Sequence, residues 1–234
     1  MDATPISIPV DDATAVSGLF TRPRAARACF VFAHGAGAGM THPFMAGFAA
    51  RLAAGSVASL RYQFPFMERG SKRPDSAAIA QATVRAAVAA AARLAPDLVL
   101  FAGGKSFGGR MTSRAQADAP LPDVRGVAFL GFPLHLAGKP GVARAQHLTS
   151  VKVPMLFLQG ERDTLADLAL LRQVVEELGA HARLVIIPKA DHSFRVPRRS
   201  GQSDEDVRDQ VAAALLCWLL ELVAASATSP ISTR

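Results

Sequence analysis

Cysteine, tryptophan and tyrosine are nearly missing from this chain of 234 residues, which has two, one and one of them. With only Cys29 and Cys217, a disulfide-stapled scaffold and a four-thiolate zinc site are excluded. Cys29 lies in an apolar strand-like run and Cys217 in an apolar helix, so both are expected as buried free thiols of a reducing compartment. Long apolar runs are missing too. Half of the residues are hydrophobic, yet no uninterrupted stretch reaches the roughly 20 residues of a membrane span. The N-terminus MDATPISIPVDD is acidic and proline-bearing rather than basic and then apolar, so no secretory signal is read. A soluble, cytoplasmic protein with no membrane partner is expected. Acidic residues are outnumbered, 19 against 26 Lys and Arg, for a net charge of +7. The basic residues are scattered, only RVPRRS (195–200) is dense, and no DNA- or RNA-binding motif accompanies them. No nucleic-acid partner is expected.

What is present is an alternation of apolar strands and helices. ISIPV and SGLFTR predict an opening hairpin, and ACFVFAH (28–34) a buried strand that runs into a glycine-rich loop. Pro43 suits the first turn of a helix through FMAGFAARLAA, closed by Gly55. SVASLRY (56–62) is a strand, QFPFMERGSKRPD a loop, and residues 75–94 an alanine-rich helix with Asp75 as N-cap. DLVLFAG, RGVAFLGFP (125–133), PMLFLQG (154–160) and ARLVIIP (182–188) are further strands. TLADLALLRQVVEELG is a helix ended by Gly179, and a last amphipathic helix runs from about Ser203 to Ala224. SATSPISTR, and in domain terms residues 226–234, is expected to be a flexible tail behind a single domain over residues 1–225. Continuous apolar strands separated by helices predict an α/β fold, a mainly parallel sheet of about eight strands covered by helices on both faces.

Residues 104–108 read GKSFG, between the strand DLVLFAG and the helix-compatible stretch GRMTSRAQADA. A GxSxG pentapeptide in that context is the pattern of a nucleophile elbow, which exposes Ser106 on a tight strand-to-helix turn. Crowding at such a turn requires Gly104 and Gly108 to lack side chains. Serine is a poor nucleophile at neutral pH and needs a base, which in turn needs an acid to hold its tautomer. In a parallel sheet, sites form beyond the carboxyl ends of the strands. Asp163, in QGERD after one strand, and His192, in ADHSF after the last, both lie at that edge. Their order, Ser106 then Asp163 then His192, is that of α/β-hydrolases. An oxyanion hole is expected from the backbone N–H of Phe107 and from the HGAGAG loop (34–39), with Ala36 as the first choice and Gly37 as the second.

Rival readings are weaker. Asp163 could be a helix cap, but Asp167, the other candidate acid, falls about one turn into the expected helix. GGKS resembles the end of a GxxxxGK[ST] phosphate loop, but the first glycine of that pattern would fall on Val99. HGAGAGM fails GxGxxG because the third glycine would fall on Met40, so no nucleotide cofactor is expected. His34 is expected to order the oxyanion loop. His42, His135, His147 and His181 have no metal-ligand spacing, and no metal or other cofactor is expected.

The blocks FAHGAGAGMTHPFM, RYQFPF, GGKSFGGRM, GFPLH with GKP, QGERD and ADHSF resemble, in order, those of the small α/β-hydrolases related to the testis-expressed hydrolase-like protein and the chromatin NSL-complex subunit. A looser resemblance is to dienelactone hydrolases, where a cysteine usually stands in place of Ser106. The resemblance implies an eight-stranded α/β-hydrolase core with Ser106, Asp163 and His192 as the triad. About 20 residues separate Pro133 from Pro154, too few for a helical cap domain, so an open, shallow site is expected. The expected activity is hydrolysis of small esters or thioesters by a monomer or homodimer. Amidase, peptidase or acyltransferase chemistry on the same triad and a non-catalytic interaction module are the alternatives. Lys105, Arg110, Arg61 or Arg195 are candidates to favour a substrate bearing a carboxylate or phosphate.

Overall fold

A computed structural model describes residues 2–228. Strands β1 (Thr4–Pro9) and β2 (Ala15–Thr21) form the expected antiparallel hairpin, and β2 pairs antiparallel with β4 (Val57–Tyr62). From there the sheet is parallel: β4 with β3 (Ala28–Ala33), then β5 (Val99–Lys105), β6 (Val124–Leu130), β7 (Met155–Gly160) and β8 (Ala182–Ile187). The strand order is β1-β2-β4-β3-β5-β6-β7-β8. Among the described residues six α-helices accompany it, namely α1 (Pro43–Ala54), α2 (Pro65–Glu68), α3 (Ala77–Leu94), α4 (Phe107–Asp118), α5 (Leu168–Leu178) and α6 (Asp204–Thr228).

The central strands are predominantly apolar because both faces are covered. All six residues of β3 are buried, and the pleat divides them. Cys29, Val31 and Ala33 join one core with Val84 and Ala87 of α3, Met111 and Ala115 of α4, and Leu171 of α5. Ala28, Phe30 and Phe32 join a second core with Met45 and Phe48 of α1 and Val211, Leu215 and Trp218 of α6. Burying a side chain the size of phenylalanine contributes about 2–3 kcal/mol, so rings such as Phe30, Phe32, Phe48 and Phe101 hold the sheet between its helix layers.

Several boundaries differ from expectation. The loop QFPFMERGSKRPD contains the single-turn α2. Helix α3 is capped by Ser76, whose Oγ accepts from Ile79 N at 3.4 Å. Asp75 is diverted to Phe66 N (2.8 Å), a first-turn donor of α2, and to Arg69 (2.6 Å), so it ties α2 to the start of α3 instead of capping α3. Strand β6 stops at Leu130 because Gly131 takes φ +70°. Helix α5 starts at Leu168 and not at Thr164, with Asp167 accepting from Leu170 N at 3.0 Å as N-cap. Helix α6 continues past Ala224 to Thr228, so the first residues of the expected tail are helical, and positions 229–234 lie outside the described residues. By length and mean hydropathy alone α6 would satisfy a membrane span; here Val207, Val211, Leu215, Trp218 and Leu219 pack against the sheet. Cys217 is exposed, contrary to expectation, because it lies on the other face of α6, where its thiol donates to Glu221. Cys29 is buried, and burial pushes its thiol up to about 12.

Candidate active site at the carboxyl edge of the sheet

Ser106 sits between β5 and α4 with φ 49° and ψ −114°, a conformation that L-residues rarely adopt. Its N–H donates to Leu130 O at 3.1 Å and its carbonyl accepts from Arg110 N at 3.1 Å, so the turn is pinned to β6 and to the first turn of α4. The flanking glycines are required chiefly by the neighbouring strand. A Cβ on Gly104 would lie 2.4 Å from Ala33 O, and one on Gly108 would lie 2.4 Å from His34 O. Both distances are far inside van der Waals contact, so the end of β3 can approach the turn only because neither residue has a side chain.

Asp163, His192 and Ser106 are brought together. Asp163 Oδ2 is 2.6 Å from His192 Nδ1, and His192 Nε2 is 2.9 Å from Ser106 Oγ. An ionised carboxylate only accepts, so Nδ1 carries the imidazole proton and Nε2 is left to accept the serine hydroxyl. Asp163 is 5 % exposed, and its oxygens take two further donors, Gln159 Nε2 at 2.5 Å and Leu165 N at 2.8 Å. Gln159, fully buried at the end of β7, also accepts from Phe132 N at 2.9 Å. The loop carrying His192 is folded on Asp191, whose Oδ1 accepts from Ser193 N and Arg195 N at 2.8 and 2.9 Å. Asp167, the rival acid, is occupied as the cap of α5.

The loop after β3 faces this group. His34 is fully buried, its Nε2 accepts from Phe64 N (3.0 Å), and its Nδ1 therefore holds the proton donated to Gly35 O (2.7 Å). Burial lowers its pKa, which keeps this neutral tautomer. The far end of the loop is tied down by Gln63 Oε1, which accepts from Met40 N (2.8 Å), and by Arg61, which donates to Met40 O (3.1 Å). Between these anchors the N–H groups of Ala36 and Gly37 have no acceptor among the described residues. The N–H of Phe107 opens α4, where a helix has no internal acceptor to offer. Ala36, Gly37, Phe44, Arg195 and Arg208 join Ser106 and His192 around a cleft of about 570 Å³, a size suited to a small molecule.

Residues 26–219 match a family described as alpha/beta hydrolase domain. The chain belongs to that family. Solved structures share the fold. A dienelactone hydrolase from Anabaena variabilis is 23 % identical with a TM-score of 0.76, over 94 % of this chain and 97 % of that one. A serine hydrolase without lid from Xanthomonas campestris is 19 % identical with a TM-score of 0.71, over 93 % and 95 %. Est1E from Butyrivibrio proteoclasticus, in a structure with ferulic acid bound, is 15 % identical with a TM-score of 0.75, over 94 % and 99 %.

In this α/β-hydrolase domain no cap covers the cleft among the described residues. Residues 131–154 instead form a short bridge, Leu136 with Lys139, and a 3-10 helix (Ala143–Ser150) against α4, and none of them lines the cleft. Of the four basic candidates for an anionic substrate, Lys105 and Arg195 line the cleft. Arg61 is committed beneath the loop at Met40, and Arg110 lies among Arg114 and Arg144, away from the lining, where burial pushes it down to about 10.

Of the other histidines, His42 lines the cleft, whereas His135 and His147 lie away from it. His135 Nδ1 donates to Leu136 O (2.8 Å) while Nε2 accepts from Asp167 N (2.7 Å), which fastens the start of α5. His147 Nε2 lies 2.7 Å from Ser113 Oγ, a second Ser–His contact. The Ser113 hydroxyl already donates to Arg110 O (2.9 Å), so His147 is the donor to it and does not serve as its base. Burial, then Arg114 and Arg110, push His147 down to about 4. Gln159 escapes sequence reasoning, and its only signal is an amide inside the otherwise apolar strand PMLFLQG.

Proposed function

We propose that this protein is a serine hydrolase acting on small carboxylic esters or thioesters. The observation that carries the reading is the continuous hydrogen-bonded relay from Asp163 through His192 to Ser106 Oγ. In this mechanism Ser106 Oγ attacks the substrate carbonyl as His192 Nε2 takes its proton, and the imidazolium formed is stabilised by Asp163. The carbonyl oxygen becomes an oxyanion held by the N–H of Phe107 and that of Ala36, with Gly37 the second choice on the loop. One such donor is worth about 3 kcal/mol in the transition state. Collapse of the tetrahedral adduct breaks the bond to the alcohol or thiol, which leaves with the proton from His192. Water, deprotonated by the same imidazole, then attacks the acyl-Ser106 ester and releases the acid. No step requires a cofactor.

The cleft lining favours a substrate with an anionic group. Arg195 and Arg208 border it, and no Asp or Glu is among its lining residues. The motif blocks support a relationship to the hydrolases related to the testis-expressed hydrolase-like protein and the NSL-complex subunit, and on this reading it is a cytoplasmic enzyme.

The test is labelling with a fluorophosphonate, which phosphonylates an activated serine with loss of fluoride. Native protein is expected to label and Ser106→Ala to remain unlabelled. No labelling of native protein, or equal labelling of both, would defeat the enzyme reading and leave an interaction module on a hydrolase fold. A matched pair of neutral and carboxylate-bearing acyl esters tests the substrate class. Equal kcat/KM for the two would remove the anionic preference.

A further inference from the structure

Lys105 adjoins the nucleophile, and the mechanism above gives it no task. It is the last residue of β5, so its backbone runs directly into Ser106. Its ammonium donates to the carbonyl oxygen of His192 at 2.6 Å and lies 5.5 Å from the centre of the Phe194 ring. An ammonium has three donors, and His192 O is the single hydrogen-bond acceptor that the described residues supply. No carboxylate pairs with it within 4 Å, and Asp163 and Asp191 act on it from farther away. Burial dominates and pushes the amine down to about 8, so its placement is unfavourable for its own charge.

The strand order gives that placement a reason. Between β5, which leads to Ser106, and β8, which leads to His192, lie β6 and β7. No strand-to-strand hydrogen bond joins the two reacting residues, and the histidine loop must cross the ends of both intervening strands to reach the serine. Asp163 holds the imidazole at Nδ1 from the end of β7. The main chain of His192 is held from β5 by Lys105 alone, since its carbonyl accepts from no backbone N–H outside the regular elements. Gly131, at φ +70°, leaves the room for this: a Cβ there would lie 3.0 Å from Lys105 Nζ and 3.3 Å from His192 Nδ1.

We infer that Lys105 is a positioning residue for His192, tying the backbone of the histidine to the strand that carries Ser106 so that base and nucleophile keep one relative geometry. The inference rests on the serine-hydrolase reading. A displacement of about 1 Å between reacting groups costs on the order of 100-fold in rate. Lysine serves because its stem spans the gap and its ammonium makes a hydrogen bond roughly twice as strong as a neutral one.

Lys105→Met keeps the stem and removes the donor. The expected result is a kcat lowered by about 10- to 100-fold with KM changed less than about twofold. Phosphonate labelling should slow in parallel, and the melting temperature should hold or rise, because a dehydrated charge has been removed. Unchanged kcat and labelling rate would overturn the inference. A rise in KM at constant kcat would make Lys105 a substrate contact instead, and a fall in melting temperature alongside kcat would make it a support of the fold. Labelling of the native protein is the separate control: if it fails, the hydrolase reading falls and the positioning role falls with it.

Discussion

Replacing Gln159 by leucine separates the two partners that its amide holds together. Gln159 is fully buried, accepts from Phe132 N at 2.9 Å and donates to Asp163 Oδ2 at 2.5 Å. Leucine fills similar space but satisfies neither group. A buried N–H left without an acceptor costs about 1–3 kcal/mol, and a hydrogen bond to a charged group is worth about 1.5–3 kcal/mol. The sum is a loss of about 3–5 kcal/mol, since both partners stay buried. For a chain of this size each kcal/mol corresponds to about 2–4 °C, so the melting temperature should fall by about 10 °C. Trp218, the single tryptophan, is 3 % exposed against Phe101 and reports unfolding in urea by its fluorescence. Asp163 would keep only His192 Nδ1 and Leu165 N, so kcat for an ester should fall about 10- to 100-fold as the imidazole loses its fixed acid. Gln159→Glu is the sharper variant. Its carboxyl must retain a proton to face Asp163, so this variant should come closest to native stability at acid pH and lose stability as pH rises. A loss below about 1 kcal/mol in Gln159→Leu, with kcat unchanged, would show that the amide does not hold the acid and would refute the argument.

The strained turn and the dehydrated histidine give two further tests. Ser106 holds φ 49° and ψ −114°; glycine relieves about 1–3 kcal/mol of such strain and returns about 0.5–1 kcal/mol in chain entropy. Ser106→Gly should therefore unfold about 2–4 °C higher than native protein while losing labelling, and a lower melting temperature would show that the turn is unstrained. His147 is half-buried with its pKa pushed down to about 4, below the 6.5 of the free side chain. Between these values the unfolded chain takes up the proton and the folded chain does not, so stability is full above about pH 6.5 and declines towards pH 4. After allowance for partial exposure the decline is on the order of 2 kcal/mol. His147→Gln keeps a donor for Ser113 and should flatten that limb in urea titrations at pH 4.5 and 7; an unchanged pH dependence would assign the loss to other groups.

Much of the fold was legible because the central strands are buried on both faces and read as unbroken apolar runs. Ser106, Asp163 and His192 were legible for a related reason, since each follows the carboxyl end of such a run and a parallel sheet sends those ends to one edge. Local patterns failed where two polar groups competed for one task. Ser76 and Asp75 are adjacent, and only the distant Phe66 N explains why the serine caps α3. Asp167 reads as interior to a helix that in fact begins at Leu168, because TLA (164–166) is compatible with helical spacing yet lies before the cap. The exposure of Cys217 was hidden because α6 is apolar over most of its circumference, which removes the periodic signal that tells the inner face from the outer.

Lys105 and Gln159 were illegible for a deeper reason. Sequence order states which strand each comes from, but their role depends on which strand ends must be joined. The hydrogen bond from Lys105 spans 87 positions of the chain and the one that Gln159 accepts from Phe132 spans 27. Both run along the carboxyl edge, beside backbone hydrogen bonds such as Ser106 N to Leu130 O and Arg162 N to Ala190 O that also link neighbouring strand ends. Gln159 joins the loop after β6 to the acid after β7, and Lys105 joins the end of β5 to the loop after β8. A relay assembled from three separate strand ends needs such cross-links wherever ladder hydrogen bonds have stopped, and each cross-link must be polar, because only loop carbonyls, loop N–H groups and a carboxylate are there to be held. Polar side chains at the ends of β5 and β7 therefore supplement the backbone bonds of this edge.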